Sequence, residues 1–443
     1  MWLLLDGSRA RCDEPAAPDQ HRGSRRQRAG GRAGAPDMKP RYDVPYWVDR
    51  FPKHRVPRYP RHRGLLEIEV AVIGGGFTGC AIAHAFAAAG VEVALFEAGR
   101  IGHGGTARGL GLLLGEPQVE FRDLAGAYGL RAARWVWKAS RRAAQDCAAT
   151  LRRLKIQCDL RPEPVIHLAS TPEDSNRLRR EYKARREAGL EVGWLGGNVL
   201  ARETAIAGRE GLKAATNWSL DPYRACLGLA AAAASRGAVV REESLVRRVR
   251  PGRRFVELRT ERGDVNAGTV VVATGVATGE FRPLRRHLKE LETYTVLTEP
   301  LPASVRRDLG RRQAVLRDTA TPPHRLRWMR DHRVLFGGAD QPATPSRRRE
   351  NVLIQRTGQL MYELTLLYPA ISGYRPAYGW SAGFGLTADG LPYLGAHRNF
   401  PRHLFALGHG RNGLATAFLA SSLLLRQYTG ESTKADALFR FGR

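Results

Sequence analysis

Cysteine is scarce in this 443-residue chain, and its five cysteines are widely scattered. They contain no Cys-x-x-Cys pair and no other spacing typical of metal ligands. This argues against a disulfide framework and against a zinc site, so we predict no bound metal. A reducing, cytoplasmic setting is the expectation. The cysteines are Cys12, Cys80, Cys147, Cys158 and Cys226.

Long hydrophobic runs are missing as well. The apolar run within residues 1 to 6 is too short for the core of a secretory signal. No later run approaches the roughly 20 apolar residues that a membrane-spanning helix needs. We therefore expect neither export nor membrane insertion.

Acidic residues are few relative to basic ones, with 43 against 71 and a formal net charge of +28. Such a charge favours nucleic-acid binding in general, but the arginines are spread along the whole chain and no nucleic-acid-binding module is recognisable. The clusters at 179–180, 185–186 and 347–349 are typical of solvated helices and loops, with an acidic partner or anionic surface as the alternative. We predict no nucleic-acid partner.

The residues from 68 to 97 carry the most informative pattern. An apolar run without polar alternation, which includes Val70 and Val72, is typical of a strand buried on both faces of a parallel sheet. Gly74, Gly76 and Gly79 follow with the spacing Gly-x-Gly-x-x-Gly. In that pattern the first glycine allows a tight turn, the second lets the backbone approach a pyrophosphate, and the third lets the next helix pack on the strand. The sequence predicts that helix over 77–89 and a second strand over 91–96.

Glu97 closes this unit eighteen residues after Gly79. At that position an acidic side chain can accept hydrogen bonds from the hydroxyls of an adenosine ribose, which favours a ribose without a phosphate. A glycine-rich turn that binds nothing is the alternative. The agreement of strand, helix, second strand and acid indicates a dinucleotide site.

Two further glycine-rich loops are expected to approach a ligand. The first runs from 102 to 111, and the second runs from 408 to 413 and opens the final helix. A glycine loop at a helix start directs N–H groups and the positive end of the helix dipole at whatever lies before it. Between these loops, residues 119–155 predict one long amphipathic helix, and period-two strands within 291–378 predict a mostly antiparallel sheet.

Several of these segments together resemble the D-amino-acid oxidase superfamily of FAD-dependent amine and amino-acid oxidoreductases. The most similar branch contains the sarcosine oxidase-like and γ-glutamylputrescine oxidase-like proteins. The segments are Val-Ile-Gly-Gly-Gly-Phe-Thr-Gly at 72–79, Thr-Ala-Arg-Gly-Leu-Gly at 106–111, Val-Val-Val-Ala-Thr-Gly at 270–275, Thr-Glu-Pro-Leu at 298–301, Phe-Gly-Gly at 336–338, Thr-Ala-Asp-Gly-Leu-Pro-Tyr-Leu-Gly at 387–395 and Gly-His-Gly-Arg-Asn-Gly at 408–413.

The resemblance implies an α/β fold in which a Rossmann-type FAD-binding domain joins a discontinuous α+β substrate domain built on a mostly antiparallel sheet. We assign 65–115, 220–285 and 379–443 to the FAD-binding domain, and 116–219 and 286–378 to the substrate domain. Residues 1–37 lack hydrophobic periodicity and are expected to be disordered. Residues 38–64 are expected to form an extended arm anchored by Trp47, because their prolines disfavour regular structure.

The resemblance also implies which residues hold FAD. The family usually reads Ser-Gly-Arg-Asn-Gly-Gly in the loop that matches 106–111, so Gly109 and Leu110 depart from it. Some relatives bind FAD covalently, but no cysteine follows Cys226 and Arg108 stands where a linking histidine would be, which implies non-covalent FAD; a covalent role for His103 is the alternative. The implied FAD-binding residues are Gly74, Gly76, Phe77, Thr78, Gly79, Glu97, Ala98, Gly105, Thr106, Arg108, Val246, Ala273, Thr274, Gly275, Gly410, Arg411, Asn412 and Gly413.

The implied reaction is oxidation of the C–N bond of an amine or amino acid, with hydride transfer to flavin N5 and hydrolysis of the resulting imine. O2 is the expected electron acceptor, although a dehydrogenase with another acceptor stays open. An FAD-binding protein without amine turnover, structural or part of a larger complex, is the alternative function. Arg327 is the candidate for binding a substrate carboxylate, with Trp328 and His409 on the substrate face. No catalytic residue is assigned.

Overall fold

The computed structural model describes Lys39–Arg443, so the predicted disordered segment 1–37 lies outside the described residues. The helices of this part are α1 (Tyr46–Arg50), α2 (Phe77–Ala88), α3 (Gly105–Arg108), α4 (Phe121–Tyr128), α5 (Leu130–Arg153), α6 (Pro172–Glu187), α7 (Gly197–Thr204), α8 (Pro222–Ala234), α9 (Ala303–Arg307), α10 (Arg349–Leu367) and α11 (Gly413–Tyr428). The strands are β1 (Arg41–Tyr42), β2 (Gly64–Ile73), β3 (Val93–Phe96), β4 (Leu112–Leu114), β5 (Arg161–Pro162), β6 (Val165–Leu168), β7 (Gly193–Leu195), β8 (Gly211–Ala214), β9 (Asn217–Ser219), β10 (Val239–Arg241), β11 (Arg248–Pro251), β12 (Val256–Arg259), β13 (Gly263–Gly275), β14 (Lys289–Thr298), β15 (Val315–Asp318), β16 (Arg325–Trp328), β17 (Val334–Pro342), β18 (Pro376–Leu386), β19 (Tyr393–His397) and β20 (Phe400–Leu407).

The first sheet has eight strands and a parallel centre. Strands β10, β3, β2, β13 and β20 lie side by side, and each neighbouring pair among them is parallel. On β2, Val70 and Val72 pack into one core cluster with α2, α8 and α11, whereas Ala71 belongs to the cluster on the other face. The predicted strand with two buried faces is therefore confirmed, and the sheet is of the Rossmann type.

The second sheet has nine strands in the order β1-β18-β14-β17-β16-β15-β6-β8-β7. Six of its eight neighbouring pairs are antiparallel, which confirms the predicted mostly antiparallel sheet. Helix α10 packs on it through Leu360 and Leu364, which share a core cluster with Val296 and Phe336. Strand β18 belongs to this sheet and crosses the predicted boundary between 378 and 379. The division into two domains stays a prediction.

The segment predicted as an extended arm contains a short helix. Strand β1 pairs with β18, and α1 follows, with Pro45 at its N-cap. Trp47 lies in α1 and is 4% exposed, so the predicted anchor is buried. The extended conformation is wrong at α1, because a proline just before a helix leaves the helical hydrogen bonds intact.

One further expectation differs from the structure. The predicted long helix over 119–155 is two helices, α4 and α5, separated by Gly129 with φ +81°. A left-handed residue cannot continue a right-handed helix, so the chain turns there. Within Lys39–Arg443, no helix is long and apolar enough to cross a membrane.

Candidate functional site

The turn between β2 and α2 has the geometry that its glycine spacing predicts. Gly74 has φ +109°, and a Cβ there would lie 2.8 Å from the carbonyl oxygen of Ala273 on β13. A Cβ on Gly79 would lie 1.8 Å from the carbonyl oxygen of Gly74, so a side chain there would push α2 off β2. Gly76 at the N-cap offers no capping side chain, although the N–H of Phe77 donates to the Thr106 Oγ1 at 2.8 Å. The positive end of α2 lies on the cavity wall, where it would favour an anion.

Glu97 is fixed beside this turn at the end of β3. Its Oε2 accepts a hydrogen bond from the N–H of Gly75 at 2.7 Å, and its Oε1 accepts one from the N–H of Gly99 at 2.8 Å. Each carboxylate oxygen keeps a lone pair for a ribose hydroxyl. The N–H of Ser244 donates to the Glu97 carbonyl at 2.8 Å, which brings the segment that includes Val246 alongside.

A cavity of about 370 Å³ extends from this turn to the start of α11 and to the second sheet. Twelve of the eighteen predicted FAD-binding residues line it, as does His409. The twelve are Gly76, Phe77, Thr78, Gly105, Thr106, Arg108, Ala273, Thr274, Gly275, Gly410, Arg411 and Gly413. The lining described for the cavity does not include Gly74, Gly79, Glu97, Ala98, Val246 or Asn412.

The loop before α11 is held by Gln118, a residue that the sequence did not single out. The Gln118 Nε2 donates to the His409 carbonyl at 2.9 Å, and its Oε1 accepts from the N–H of Arg411 at 2.8 Å. Asn412, at the N-cap of α11, directs its Nδ2 to the Glu116 carbonyl at 2.7 Å and does not cap the helix. The positive end of α11 is thus open toward the cavity, where Gly413 lies.

His409 forms part of the cavity wall as a neutral ring. Its Nδ1 lies 3.2 Å from the Thr78 Oγ1, and the side chain is buried. Burial lowers the pKa of His409 to about 4. Its Nε2 has no hydrogen-bond partner among residues 39–443. The prediction that His409 lies at the substrate face is compatible with this placement and stays a prediction.

The first glycine loop, around α3, is fixed by two indole groups. The Trp47 Nε1 donates to the Gly109 carbonyl and the Trp380 Nε1 donates to the Arg108 carbonyl, both at 2.9 Å. The Arg108 guanidinium pairs with Asp43 of the arm at 2.5 Å. The arm therefore holds this wall of the cavity in place.

Arg327 does not face the cavity. Its Nη1 donates to the Leu110 carbonyl at 2.8 Å and to the Leu220 carbonyl at 2.7 Å, and its guanidinium carbon lies 5.3 Å from the centre of the Trp47 ring. Burial lowers the pKa of Arg327 to about 10. The substrate role predicted for Arg327 is corrected accordingly, because its guanidinium holds the glycine loop from behind.

Trp328 also lies away from the cavity. It is adjacent in sequence to Arg327 and therefore points to the opposite face of β16, since side chains alternate along a strand. There its ring packs edge-on against Tyr368 with centroids 5.5 Å apart, in the core that includes Phe336. The predicted contact of Trp328 with substrate is corrected for this reason.

Arg325 is the arginine of β16 that lines the cavity. It precedes Arg327 by two residues and is 5% exposed. Its Nη1 lies 3.4 Å from the Arg411 carbonyl oxygen, its Nε has no partner, and no carboxylate pairs with it among the described residues. Burial, with the charges of Arg317 and Arg411, holds the pKa of Arg325 well below its usual value.

The other two arginines of the described cavity lining, Arg108 and Arg411, both have anionic partners; that of Arg108 is Asp43. Arg411 forms an ion pair with Asp340, and its guanidinium carbon lies 4.9 Å from the centre of the Phe384 ring. Burial, with a smaller contribution from Arg317, lowers the pKa of Arg411 to about 10. Arg325 is thus the cavity cation left for an anionic ligand.

A family model described as FAD dependent oxidoreductase (DAO) matches residues 69–427. The chain belongs to this family. It is 30% identical over 377 residues to glycine oxidase of Geobacillus kaustophilus, a match that covers 82% of this chain and 94% of that protein. It is 25% identical over 372 residues to gamma-glutamylputrescine oxidoreductase of Escherichia coli, covering 83% of this chain and 85% of that protein.

Solved structures agree with this membership. The crystal structure of glycine oxidase from Geobacillus kaustophilus matches with a TM-score of 0.71 and 25% identity, covering 85% of this chain and 99% of that one. L-amino acid deaminase from Proteus vulgaris matches with a TM-score of 0.70 at 13% identity, covering 87% of this chain and 99% of that one, which shows the shared fold. The resemblance found in the sequence is confirmed.

The residues of this FAD-dependent oxidoreductase fit its cofactor. The N-cap residues of α2 and α11 provide no capping side chain, the Glu97 carboxylate lies beside the turn, and the Nε2 of His409 is unpartnered within Lys39–Arg443. A Cβ on Gly76 would lie 3.3 Å from the Thr106 Oγ1, which would narrow the space at the start of α2. Residues around Gly74 to Gly79 and Glu97 would hold the adenosine diphosphate half, and the 408–413 loop would face the flavin.

Replacement of Trp47 by phenylalanine should weaken FAD binding about fivefold. Trp47→Phe keeps a buried ring but removes the hydrogen bond to the Gly109 carbonyl, and such a bond is worth about 1 kcal/mol. Titration of the apoprotein with FAD, followed by quenching of flavin fluorescence, measures the change. Tyr46→Phe is the control, because the Tyr46 hydroxyl donates to Asp331 outside the cavity; an equal loss in that variant would contradict the role of Trp47.

Acid should destabilise the apoprotein partly through His409. The pKa of His409 is about 4 in the folded protein and about 6.5 in an unfolded chain. As pH falls, this histidine binds a proton first in the unfolded chain. The contribution of His409 to the free energy of unfolding is therefore complete above pH ~6.5 and is lost between pH ~6.5 and pH ~4, by about 3 kcal/mol. Denaturant unfolding of wild type and His409→Gln at several pH values should show a shallower decline in the variant. Parallel declines would contradict this contribution.

Proposed function

We propose that this FAD-dependent oxidoreductase oxidises the C–N bond of an amine that carries a carboxylate, as in an amino acid. The observation that carries the proposal is Arg325, a buried guanidinium without an anionic partner in the described chain, on the wall of the cavity that the glycine loops line. The chain is similar to glycine oxidase and gamma-glutamylputrescine oxidoreductase. The substrates in these two names carry both an amine and a carboxylate, which supports this substrate class.

Arg325 would bind the substrate carboxylate. A guanidinium offers parallel N–H donors that match the two oxygens of a carboxylate, and such charge-assisted pairs are stronger than neutral hydrogen bonds. The cavity wall near it contains Gly337, Gly338 and Ala343, whose small side chains leave room for a ligand. The carboxylate would fix the position of the neighbouring C–N bond.

Bound FAD would supply the hydride acceptor, flavin N5, for the carbon that carries the nitrogen. The protein's task is orientation, since bringing two reactants together in the correct geometry removes much of the entropic barrier. His409, with a pKa of about 4, is too weak a base to deprotonate an ammonium group. The amine would therefore react in its neutral form, and water would hydrolyse the imine. We propose O2 as the electron acceptor.

We further propose that FAD is bound non-covalently. The Arg108 guanidinium, which stands where some relatives have a linking histidine, is engaged by Asp43. The His103 Nε2 lies 3.1 Å from the Tyr223 hydroxyl, and His103 does not belong to the described cavity lining. A cytoplasmic setting is also part of the proposal, because Cys80, Cys147, Cys158 and Cys226 are free.

The test is a visible absorption spectrum of the purified protein before and after anaerobic addition of amines. We expect flavin bands that bleach with amino acids or N-substituted amino acids and bleach poorly with the matching amines that lack the carboxylate. Readmission of air should restore the bands and release hydrogen peroxide. Bands that stay oxidised with every amine would favour an FAD-binding protein without turnover, and equal bleaching by amines without a carboxylate would contradict the role of Arg325.

A further inference from the structure

A second cavity lies away from the FAD site, next to the far end of β16. It has a volume of about 180 Å³, and its described lining shares no residue with that of the FAD cavity. We call it the arginine pocket. Its lining residues are Arg161, Leu301, Arg306, Arg311, Arg312, Trp328, Met329, His332 and Arg333.

The arginine pocket is strongly cationic. Five of its nine lining residues are arginines and one is histidine, and the described lining contains no aspartate or glutamate. Elsewhere on this protein, arginines commonly face a carboxylate, as Arg411 faces Asp340 and Arg185 faces Glu181. Two of these arginines have acidic partners just outside the lining, Arg333 with Asp331 at 3.0 Å and Arg161 with Glu163 at 3.6 Å. Arg306, Arg311 and Arg312 have no carboxylate partner among residues 39–443, and like charges repel one another, so a bound anion would stabilise these three.

Several donors in the arginine pocket are unused. The side chains of Arg311 and Arg312 make no hydrogen bond or ion pair with any residue in 39–443, and the Nε atoms of Arg306 and Arg312 are buried without a partner there. The Arg306 Nη1 contacts only the ring of His332, at 3.2 Å from its Nδ1. Buried donors normally find acceptors, so the Nε atoms of Arg306 and Arg312 indicate an acceptor that residues 39–443 do not provide. The exposed side chain of Arg311 lies beside them and can join in binding it.

Two of the lining arginines already have partners, and these fix the walls. The Arg161 Nη2 donates to the Trp328 carbonyl at 2.6 Å, and the Arg333 Nη1 donates to the Thr298 carbonyl at 2.9 Å. Their positions are therefore set by the strands before any ligand arrives. A binding site whose donors are already held in place loses less entropy when the ligand binds.

A larger cavity of about 410 Å³ adjoins the arginine pocket and shares Arg161, Arg311 and Arg312 with it. It also contains Lys213, which pairs with Glu203 at 2.7 Å, and Glu163, which lies 3.6 Å from Arg161. The shared arginines remain in excess over these acids. A ligand with more than one anionic group, or with a larger body, could extend from one cavity into the other.

We propose that the arginine pocket binds a small phosphate-bearing anion with at least two phosphate groups. Guanidinium groups match the oxygens of phosphate, and a diphosphate offers several acceptors and more than one charge to a ring of arginines. The shared chemistry is that of inorganic pyrophosphate and of nucleoside di- or triphosphates. The site is separate from the FAD site and does not depend on the proposed amine oxidation.

The test uses the full-length protein with FAD bound and titrates it with inorganic pyrophosphate by calorimetry, at constant ionic strength set with chloride. We expect saturable binding of one pyrophosphate per chain, with the flavin absorption unchanged, which shows that FAD is not displaced. The variant Arg311→Gln/Arg312→Gln should bind about 30-fold more weakly, because two charged donors are lost.

The matched control is Arg347→Gln/Arg348→Gln, which removes the same charge from an exposed arginine cluster outside both cavities. It should bind pyrophosphate as the wild type does; equal weakening in both variants would show non-specific attraction and overturn the proposal. Arg306→Gln, with a single change, should also weaken binding if the double variant fails to fold. ATP in place of pyrophosphate tells whether the larger cavity accepts a nucleoside. Absence of saturable binding, or citrate binding as tightly as pyrophosphate, would overturn the assignment.

Discussion

A Gly79→Ala variant should be purified without FAD and should unfold at a clearly lower temperature than the wild type. The new Cβ would lie 1.8 Å from the carbonyl oxygen of Gly74, a backbone atom that cannot rotate away. The contact forces α2 off β2 and displaces the turn in which the pyrophosphate would sit. Overpacking at such a site costs about 3 kcal/mol. The ratio of flavin to protein absorbance and a thermal unfolding curve measure both effects.

The control is the same substitution at Gly126. That residue lies inside α4, and a Cβ there would meet no atom within 4 Å. Alanine has the higher helix propensity, so Gly126→Ala should stabilise the protein by about 0.5–1 kcal/mol and keep its FAD. Normal FAD content in Gly79→Ala would show that FAD binding does not require the close approach of α2 to β2.

Replacement of Arg325 by leucine should reduce kcat/KM for a carboxylated amine about 1000-fold, while the enzyme keeps its FAD. The expected loss corresponds to about 4 kcal/mol, which is reasonable for removing the charged half of a buried carboxylate pair. Steady-state kinetics with an amino acid and with the matching amine without a carboxylate distinguish substrate binding from damage to the site. The amine should be affected little.

Two further variants check the reason for that loss. Arg325→Lys keeps the charge but not the paired donors, so it should recover only part of the activity. Arg327→Lys should instead lower FAD content and thermal stability, because the Arg327 Nη1 holds the Leu110 and Leu220 carbonyls. If Arg325→Leu left kcat/KM for the amino acid unchanged, the carboxylate would be bound elsewhere and the proposed substrate class would lose its support.

The turn around Gly74 and the position of Glu97, which we propose hold FAD, could be predicted from the sequence because they depend on local geometry. Glycines that permit a turn, an apolar strand and an acid at the end of the next strand are close together in the chain, and the structure places them as expected around Gly74 and Glu97. The alternation of side chains along a strand also predicts that Trp328 points away from Arg327. It cannot tell which of Arg325 and Arg327 reaches the cavity, since both share one face of β16.

The other differences between the sequence-based predictions and the structure come from contacts between distant parts of the chain. Gln118 contacts the 408–413 loop, and Asp340 pairs with Arg411, across separations that no local pattern encodes. Arg327 is bound to its carbonyls because strand β4 and the start of α8 meet behind the glycine loop. The length of chain between these partners explains why the residues of the proposed substrate site could not be predicted from the sequence.

The way in which the first glycine loop is held has a consequence for how its sequence can change. Trp47, Trp380 and Arg327 all donate to main-chain oxygens of residues 108–110, and every amino acid presents that oxygen. These three hydrogen bonds therefore do not depend on which side chains stand at 108–110. Substitutions at Gly109 and Leu110, where the chain departs from the family pattern, therefore leave these bonds in place. The side chains that this loop presents to the cavity can differ while its backbone stays where it is.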